Sequence, residues 1–174
     1  MSVSLVLTVI SPDRPGLVEA LSQSVANHQG SWLESRMARL DGQFAGILRV
    51  SVPENRVEAL SQELRALEPQ GLQVVIANSE ASGSNPDARQ LRLELLGSDR
   101  PGIIREIAAA LASRGINVDE LRTEVVSAPM SGELLFRASA ELWIPPALDL
   151  EALRKDLEAL AHELMVDVDL DEAI

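Results

Sequence analysis

Hydrophobic positions along the first part of the chain follow two different periods. From Val3 to Val9, every second residue is apolar and most of the residues between them are small and polar, a pattern typical of a strand with one buried face. Leu17, Leu21 and Val25 lie four residues apart, which places them on one stripe of a helix. The pattern therefore predicts a strand followed by an amphipathic helix.

A hairpin, a second helix and a last strand follow in the pattern. Apolar segments at 32–40 and 43–52 flank an Asp-Gly dipeptide at 41–42, which tolerates the positive φ of a two-residue hairpin turn. Apolar residues within 57–67 recur at spacings of three and four, as on one buried helix face. Residues 72–77 read as a further strand. The predicted order is strand, helix, strand, strand, helix, strand.

The second half of the chain repeats this order. Glycines at 30 and 115 are predicted to end the leading helices as left-handed caps. The polar, Gly/Ser/Pro-containing residues between the halves read as a flexible linker. We predict an N-terminal domain at 1–78, a linker at 79–88 and a C-terminal domain at 89–174. The repeated elements correspond to residues 91–95, 103–111, 117–127, 133–143, 150–160 and 164–170.

A short motif also occurs twice, "SPDRPGL" at 11–17 and "SDRPGI" at 98–103. Each copy lies between a predicted strand and its helix. The proline suits the first turn of a helix, and the aspartate can accept from the exposed amides there. The glycine leaves room for a close approach, so the turn can present backbone N–H groups to a small anion such as a carboxylate. The alternative is that both copies are ordinary turn and capping chemistry.

Composition narrows the classes of partner. The 174 residues carry 15 basic and 27 acidic side chains, a net charge of -12, which disfavours direct binding to nucleic acid. The chain has no cysteine, no signal-peptide pattern and no apolar run long enough for a membrane span. We therefore expect a cytoplasmic protein that binds neither nucleic acid nor membranes.

No catalytic, metal or cofactor motif is evident in the sequence. His28 and His162 have no motif around them, so each is predicted to be a solvated or helix-end side chain. Asp167, Asp169 and Asp171 alternate along a predicted strand. They suit either a hard cation or a solvated sheet edge that prevents unwanted strand pairing, and the second interpretation is favoured. We expect no enzyme activity, no metal and no cofactor.

The repeated pattern resembles the ACT domain. In both halves a strand leads into Asp-x-Pro-Gly and a helix, and in the second half the next strand begins Gly-Ile-Asn-Val at 115–118. The resemblance implies an α+β fold of two tandem ferredoxin-like domains, each an antiparallel four-stranded sheet with both helices on one face. With "DRPGLV", "ESRMARLDGQFAGILRV" and "NVDELRTE", the chain most resembles the glycine cleavage system transcriptional repressor family.

The resemblance also implies a ligand site at the two turns and at Asn117. Asn117 either binds the polar head of an amino acid or bonds its own backbone at the strand start. Trp32 is taken to occupy the place of Asn117 in the first half, where it is more suited to packing at an interface than to stacking on a ligand. The implied ligand-binding residues are Asp13, Arg14, Pro15, Gly16, Asp99, Arg100, Pro101, Gly102, Ile103 and Asn117.

The function implied by the resemblance is regulatory. Such a protein senses a small amino acid, with glycine as the presumed signal, and contacts a DNA-binding transcription factor instead of DNA. The alternative is an ACT-type regulatory subunit or interaction module that adjusts an enzyme of amino-acid metabolism. Because each domain is small, we also expect a homo-oligomer.

Overall fold

The chain forms two compact units, Met1–Ser82 and Gly83–Ile174, in a computed structural model that describes residues 1–79 and 87–172. Most of the predicted linker, residues 80–86, lies outside the described residues. Each unit is described separately below.

The first unit contains four strands and two α-helices in the predicted order. The first strand and the first helix both extend beyond the apolar positions that predicted them, and the helix begins directly after the repeated turn. The elements are β1 (Ser2–Pro12), α1 (Leu17–Asn27), β2 (Ser31–Leu40), β3 (Gln43–Pro53), α2 (Val57–Arg65) and β4 (Gln73–Asn78).

The second unit repeats these elements. Its hairpin loop is longer, with six residues at 128–133 against two at 41–42 in the first unit. The elements are β5 (Arg89–Ser98), α3 (Ile103–Ser113), β6 (Asn117–Ser127), β7 (Leu134–Ile144), α4 (Leu150–Leu164) and β8 (Val166–Glu172).

Each unit holds one antiparallel four-stranded sheet. The strand orders are β2-β3-β1-β4 and β6-β7-β5-β8, so the first strand of each unit lies inside its sheet. The prediction of two tandem ferredoxin-like units is therefore confirmed. It also follows that β2 and β6 are edge strands.

The alternating strand residues and the helix stripes meet in one core per unit. In the first, Leu5, Leu7 and Val9 pack with the α1 residues Leu17 and Leu21. The core of the second unit is built in the same way. Its fully or nearly buried members include Leu91, Leu93, Leu95, Ile103, Ile107, Leu111, Leu153 and Leu157. Because these apolar side chains lie on the helix side, the opposite face of each sheet carries no helix of its own unit.

The first hairpin has the predicted turn. Asp41 and Gly42 have φ values of 47° and 77°, both positive as a type I′ turn requires, and they join β2 to β3.

One predicted helix cap is wrong. The left-handed residue after α1 is Gln29, with φ 59°, and not Gly30. Gly115 does take this conformation after α3, with φ 67°. Gln29 and Gly115 are therefore the equivalent residues, and Gly30 corresponds to Ile116. Gly30 is required for space, because a Cβ there would lie 2.8 Å from a Val25 methyl carbon.

Candidate functional site

The two repeated turns share one backbone conformation. Gly16 has φ 89° and ψ 3°, and Gly102 has φ 93° and ψ −1°, values that fit the third residue of a type II turn. Proline favours the second position of that turn because its ring fixes φ. Pro15 and Pro101 therefore serve the turn. The prediction that they open the helix is wrong, since α1 and α3 begin two residues later.

The aspartates of the turns do not cap the helices. Neither α1 nor α3 has a side-chain hydrogen bond at its start. Instead, the backbone N–H of Asp13 donates to the Gly42 carbonyl at 2.8 Å, and that of Asp99 donates to the Leu134 carbonyl at 3.0 Å. The Asp13 carboxylate also lies 3.5 Å from a guanidinium nitrogen of Arg39. The aspartates hold each turn against its hairpin.

The first amides of α1 and α3 therefore have no side-chain cap. The first N–H groups of a helix have no partner within it, and they carry the positive end of the helix dipole. The start of α4 provides a contrast, because the Asp149 carboxylate there accepts from the backbone N–H groups of Glu151 and Ala152 at 2.9 and 3.3 Å. Of the helices α1, α3 and α4, only α4 therefore begins with a side chain that accepts from its first N–H groups.

A pocket adjoins the first of these helix starts. It has a volume of about 290 Å³, and its lining includes Asp13, Arg14, Gly16 and Phe44 together with the first residues of α1. The pocket is therefore large enough for a small molecule to reach the uncapped amides.

Ile103 differs from the other residues of the second turn. Its side chain is buried in the core and only 2% exposed, whereas Asp99, Arg100 and Pro101 are exposed. The Ile103 side chain therefore belongs to the core, and the role of Ile103 in ligand binding stays a prediction.

The structure does not bring Asn117 to the turn of its own unit. Asn117 is opposite Trp143, which is opposite Gln90 near the start of β5, whereas the turn follows Ser98 at the other end of that strand. Eight strand residues separate the two rows, or about 27 Å. Asn117 is exposed, but no small amino acid could contact both Asn117 and the turn within one unit.

Trp32 is not the counterpart of Asn117. Both edge strands have a bulge, between Trp32 and Glu34 in β2 and between Val118 and Glu120 in β6, and the matching bulges pair Trp32 with Val118. The counterpart of Asn117 is Ser31. Trp32 is half-buried against the core of its own unit, while its prediction as an interface residue remains a prediction.

His28 takes part in a polar cluster between the two helices of the first unit. Its Nε2 lies 2.7 Å from a carboxylate oxygen of Glu63, and Asn27 donates to the other oxygen at 3.1 Å. Burial by itself would raise the pKa of Glu63, but hydrogen bonds from His28, Asn27 and Ser24 outweigh it and hold that pKa below its ordinary value. His28 is the C-cap residue of α1, so its prediction as a helix-end side chain is confirmed, whereas the solvated alternative is wrong because its ring is only 13% exposed.

His162 lies in the last turn of α4 and is exposed, as expected of a helix-end side chain. Within residues 1–79 and 87–172, no group of three or more His, Cys, Asp or Glu residues is arranged to hold a metal ion. None of the helices described there is both long and apolar enough to cross a membrane.

The family model of the ACT domain matches residues 4–77 and 89–171, one match in each unit. The chain belongs to the ACT-domain family. It is a tandem ACT-domain protein, with two copies of the domain accounting for most of its length.

Relatives with the same tandem arrangement are known. The chain is 24% identical over 163 residues to the glycine cleavage system transcriptional repressor of Escherichia coli K12, covering 92% of this chain and 85% of that protein, and equally similar to its Shigella flexneri counterpart. A crystal structure of an unknown protein from Galdieria sulphuraria superimposes with a TM-score of 0.90 and 33% identity over 100% of both chains. A candidate glycine cleavage system transcriptional repressor superimposes with a TM-score of 0.71 and 19% identity, covering 98% of this chain and 97% of that one.

Proposed function

We propose that this chain is a non-catalytic regulatory protein that senses a small amino acid, glycine being the first candidate. In this proposal it controls transcription of glycine cleavage genes through contact with a DNA-binding regulator. The similarity to glycine cleavage repressors along 92% of the chain supports the proposal.

The observation that carries ligand sensing is the pair of uncapped helix starts. In both units a type II turn leads into a helix whose first N–H groups have no side-chain cap, beside Gly16 or Gly102. A carboxylate is the group such donors favour, through both hydrogen bonding and the helix dipole. The pocket of about 290 Å³ beside α1 gives an amino acid room to place its carboxylate there.

The proposed partner is a protein and not DNA. At a net charge of -12 the chain repels phosphate, whereas DNA-binding proteins present basic surfaces. Asn117 can share a ligand with a repeated turn only if that turn comes from outside its own unit, because Asn117 and the turn of its unit lie at opposite ends of one sheet. The proposal also includes a homo-oligomer, working in the cytoplasm.

Calorimetry tests the sensing step. Titration of the full chain with glycine and with serine should give saturable heat for at least one of them, and neither should bind after the chain is unfolded in urea. Absence of heat for both would contradict amino-acid sensing.

A pull-down from the native cells, with and without added glycine, tests the partner. Recovery of a DNA-binding regulator whose amount changes with glycine supports the proposal. Recovery of a metabolic enzyme instead would contradict the proposed partner and indicate that the chain regulates that enzyme.

A further inference from the structure

The helix-free face of each sheet contains a hollow, away from the repeated turns. The first has a volume of about 180 Å³ and the second about 320 Å³. Side chains around the first include Val6, Glu34, Arg36, Ile47 and Arg49. Those around the second are Arg92, Glu120, Arg122, Ser139 and Glu141.

The two hollows occupy the same place in the fold. In the first unit Arg49 of β3 is opposite both Val6 of β1 and Glu34 of β2. In the second unit Glu141 of β7 is likewise opposite a β5 residue, Arg92, and a β6 residue, Glu120. The next row pairs Arg36 with Ile47 in one unit and Arg122 with Ser139 in the other. The same concavity therefore occurs in both sheets, at matching positions.

The edge strands β2 and β6 carry the same two residue types at matching positions of the two hollows, whereas the inner strands carry different ones. A glutamate and an arginine two residues apart are present in both, Glu34 with Arg36 and Glu120 with Arg122. The floor changes from Val6 and Ile47 to Arg92 and Ser139, and Arg49 is replaced by Glu141. The first hollow thus has two guanidinium groups, one carboxylate and an apolar floor. The second hollow has two guanidinium groups, two carboxylates and a polar floor.

The first hollow has an apolar floor that is not covered. The Ile47 side chain remains 48% exposed, and it lies in the row beside Val6. Covering such surface with an apolar group is favourable by roughly 25 cal/mol per Å².

Arg49, on the rim of the first hollow, has more N–H donors than its contact with Glu34 uses. A nitrogen of Arg49 lies 3.4 Å from the Glu34 carboxylate, longer than the roughly 2.8 Å of a tight pair, and both side chains are exposed. A guanidinium has five N–H donors in a planar fork that matches a carboxylate. A second carboxylate can therefore bind Arg49 without displacing Glu34.

We propose that this first hollow is a binding site for a small carboxylic acid with an apolar body. The apolar body covers Val6 and Ile47, and the carboxylate binds the Arg49 guanidinium. The site lies six strand residues from Pro12, about 20 Å from the first turn, so it is separate from the proposed amino-acid site. Its volume of about 180 Å³ limits the ligand to a few carbon atoms beyond the carboxylate.

Amide NMR of the full chain tests the site directly. Isovalerate is the probe, and isopentylamine carries nearly the same apolar body with the opposite charge. Isovalerate should shift amide resonances in β2 and β3 near the hollow and leave β6 and β7 unmoved, because the second hollow has no apolar floor. The amine should shift neither set. Unmoved β2 and β3 amides in isovalerate, or equal shifts with the amine, would overturn the proposal.

Exchanging residues between the units separates binding from folding. Ile47→Ser and Arg49→Glu each introduce the residue that the second unit carries at the same register position, so the fold should accept them. Each is expected to weaken isovalerate binding at least tenfold. Ile10→Ser is the matched control, since Ile10 is 44% exposed on the same face and outside the hollow. Equal weakening by Ile10→Ser, or full affinity in Arg49→Glu, would refute the assignment.

Discussion

Replacement of Gly102 by alanine tests whether the second turn depends on backbone conformation. The φ of 93° lies in the left-handed region, where an L-residue costs about 1–2 kcal/mol. Space is not the obstacle, because a Cβ would meet only an Arg105 nitrogen, at 3.7 Å. Alanine also restricts the conformations of the unfolded chain, which offsets about 0.4–1 kcal/mol of that cost. We expect Gly102→Ala to lower the free energy of unfolding by about 1 kcal/mol.

Urea unfolding followed by circular dichroism measures this change, and Gly115→Ala is the matched control. Gly115 also has open space, with a φ of 67° that is close to the left-handed minimum, so its replacement should cost less. Calorimetry with glycine then tests the link to ligand binding, where only Gly102→Ala should weaken affinity. A Gly102→Ala protein as stable as the wild type would refute the strain argument. Equal loss of affinity in both variants would refute a specific role for the turn.

Two further predictions concern the helices. Glu63→Gln should lower the free energy of unfolding by about 0.5 kcal/mol at neutral pH, since the pair with His28 is partly exposed. Because the folded pKa of Glu63 is depressed below its ordinary 4.5, the wild-type advantage should persist above that pH and disappear as the pH falls through the folded pKa; a pH-independent difference would contradict this. Asp149→Ala removes the one carboxylate oxygen that accepts both hydrogen bonds at the start of α4 and should cost about 1 kcal/mol in urea unfolding, whereas Asp149→Asn should restore most of the loss. No change with alanine would show that the cap is not stabilising.

The sequence by itself determined the elements, their order and the duplication. Period-two and period-four apolar patterns mark which face of each strand and helix is buried, and burial of apolar surface dominates folding. Leu5, Leu7, Leu17 and Leu21 therefore lie in the core as their spacing predicts. The Asp-Gly hairpin turn at 41–42 was also evident, because positive φ is a local preference of those two residues.

Tertiary structure decided what these elements bring together. Strand register separates Asn117 from the turn at Asp99, because residues opposite one another are fixed by pairing between distant segments. The bulges in the edge strands decide that Ser31, not Trp32, corresponds to Asn117. A single additional residue in a strand changes which face every later side chain occupies.

The hollow on the first sheet illustrates the same division. The repeated Glu-x-Arg of the edge strands, at 34–36 and 120–122, is visible when the two halves of the sequence are compared. That Val6, Ile47 and Arg49 surround the first copy is visible only once three strands are paired. Local periodicity is encoded by neighbouring residues, whereas the chemistry of a sheet face depends on contacts between residues far apart in the chain.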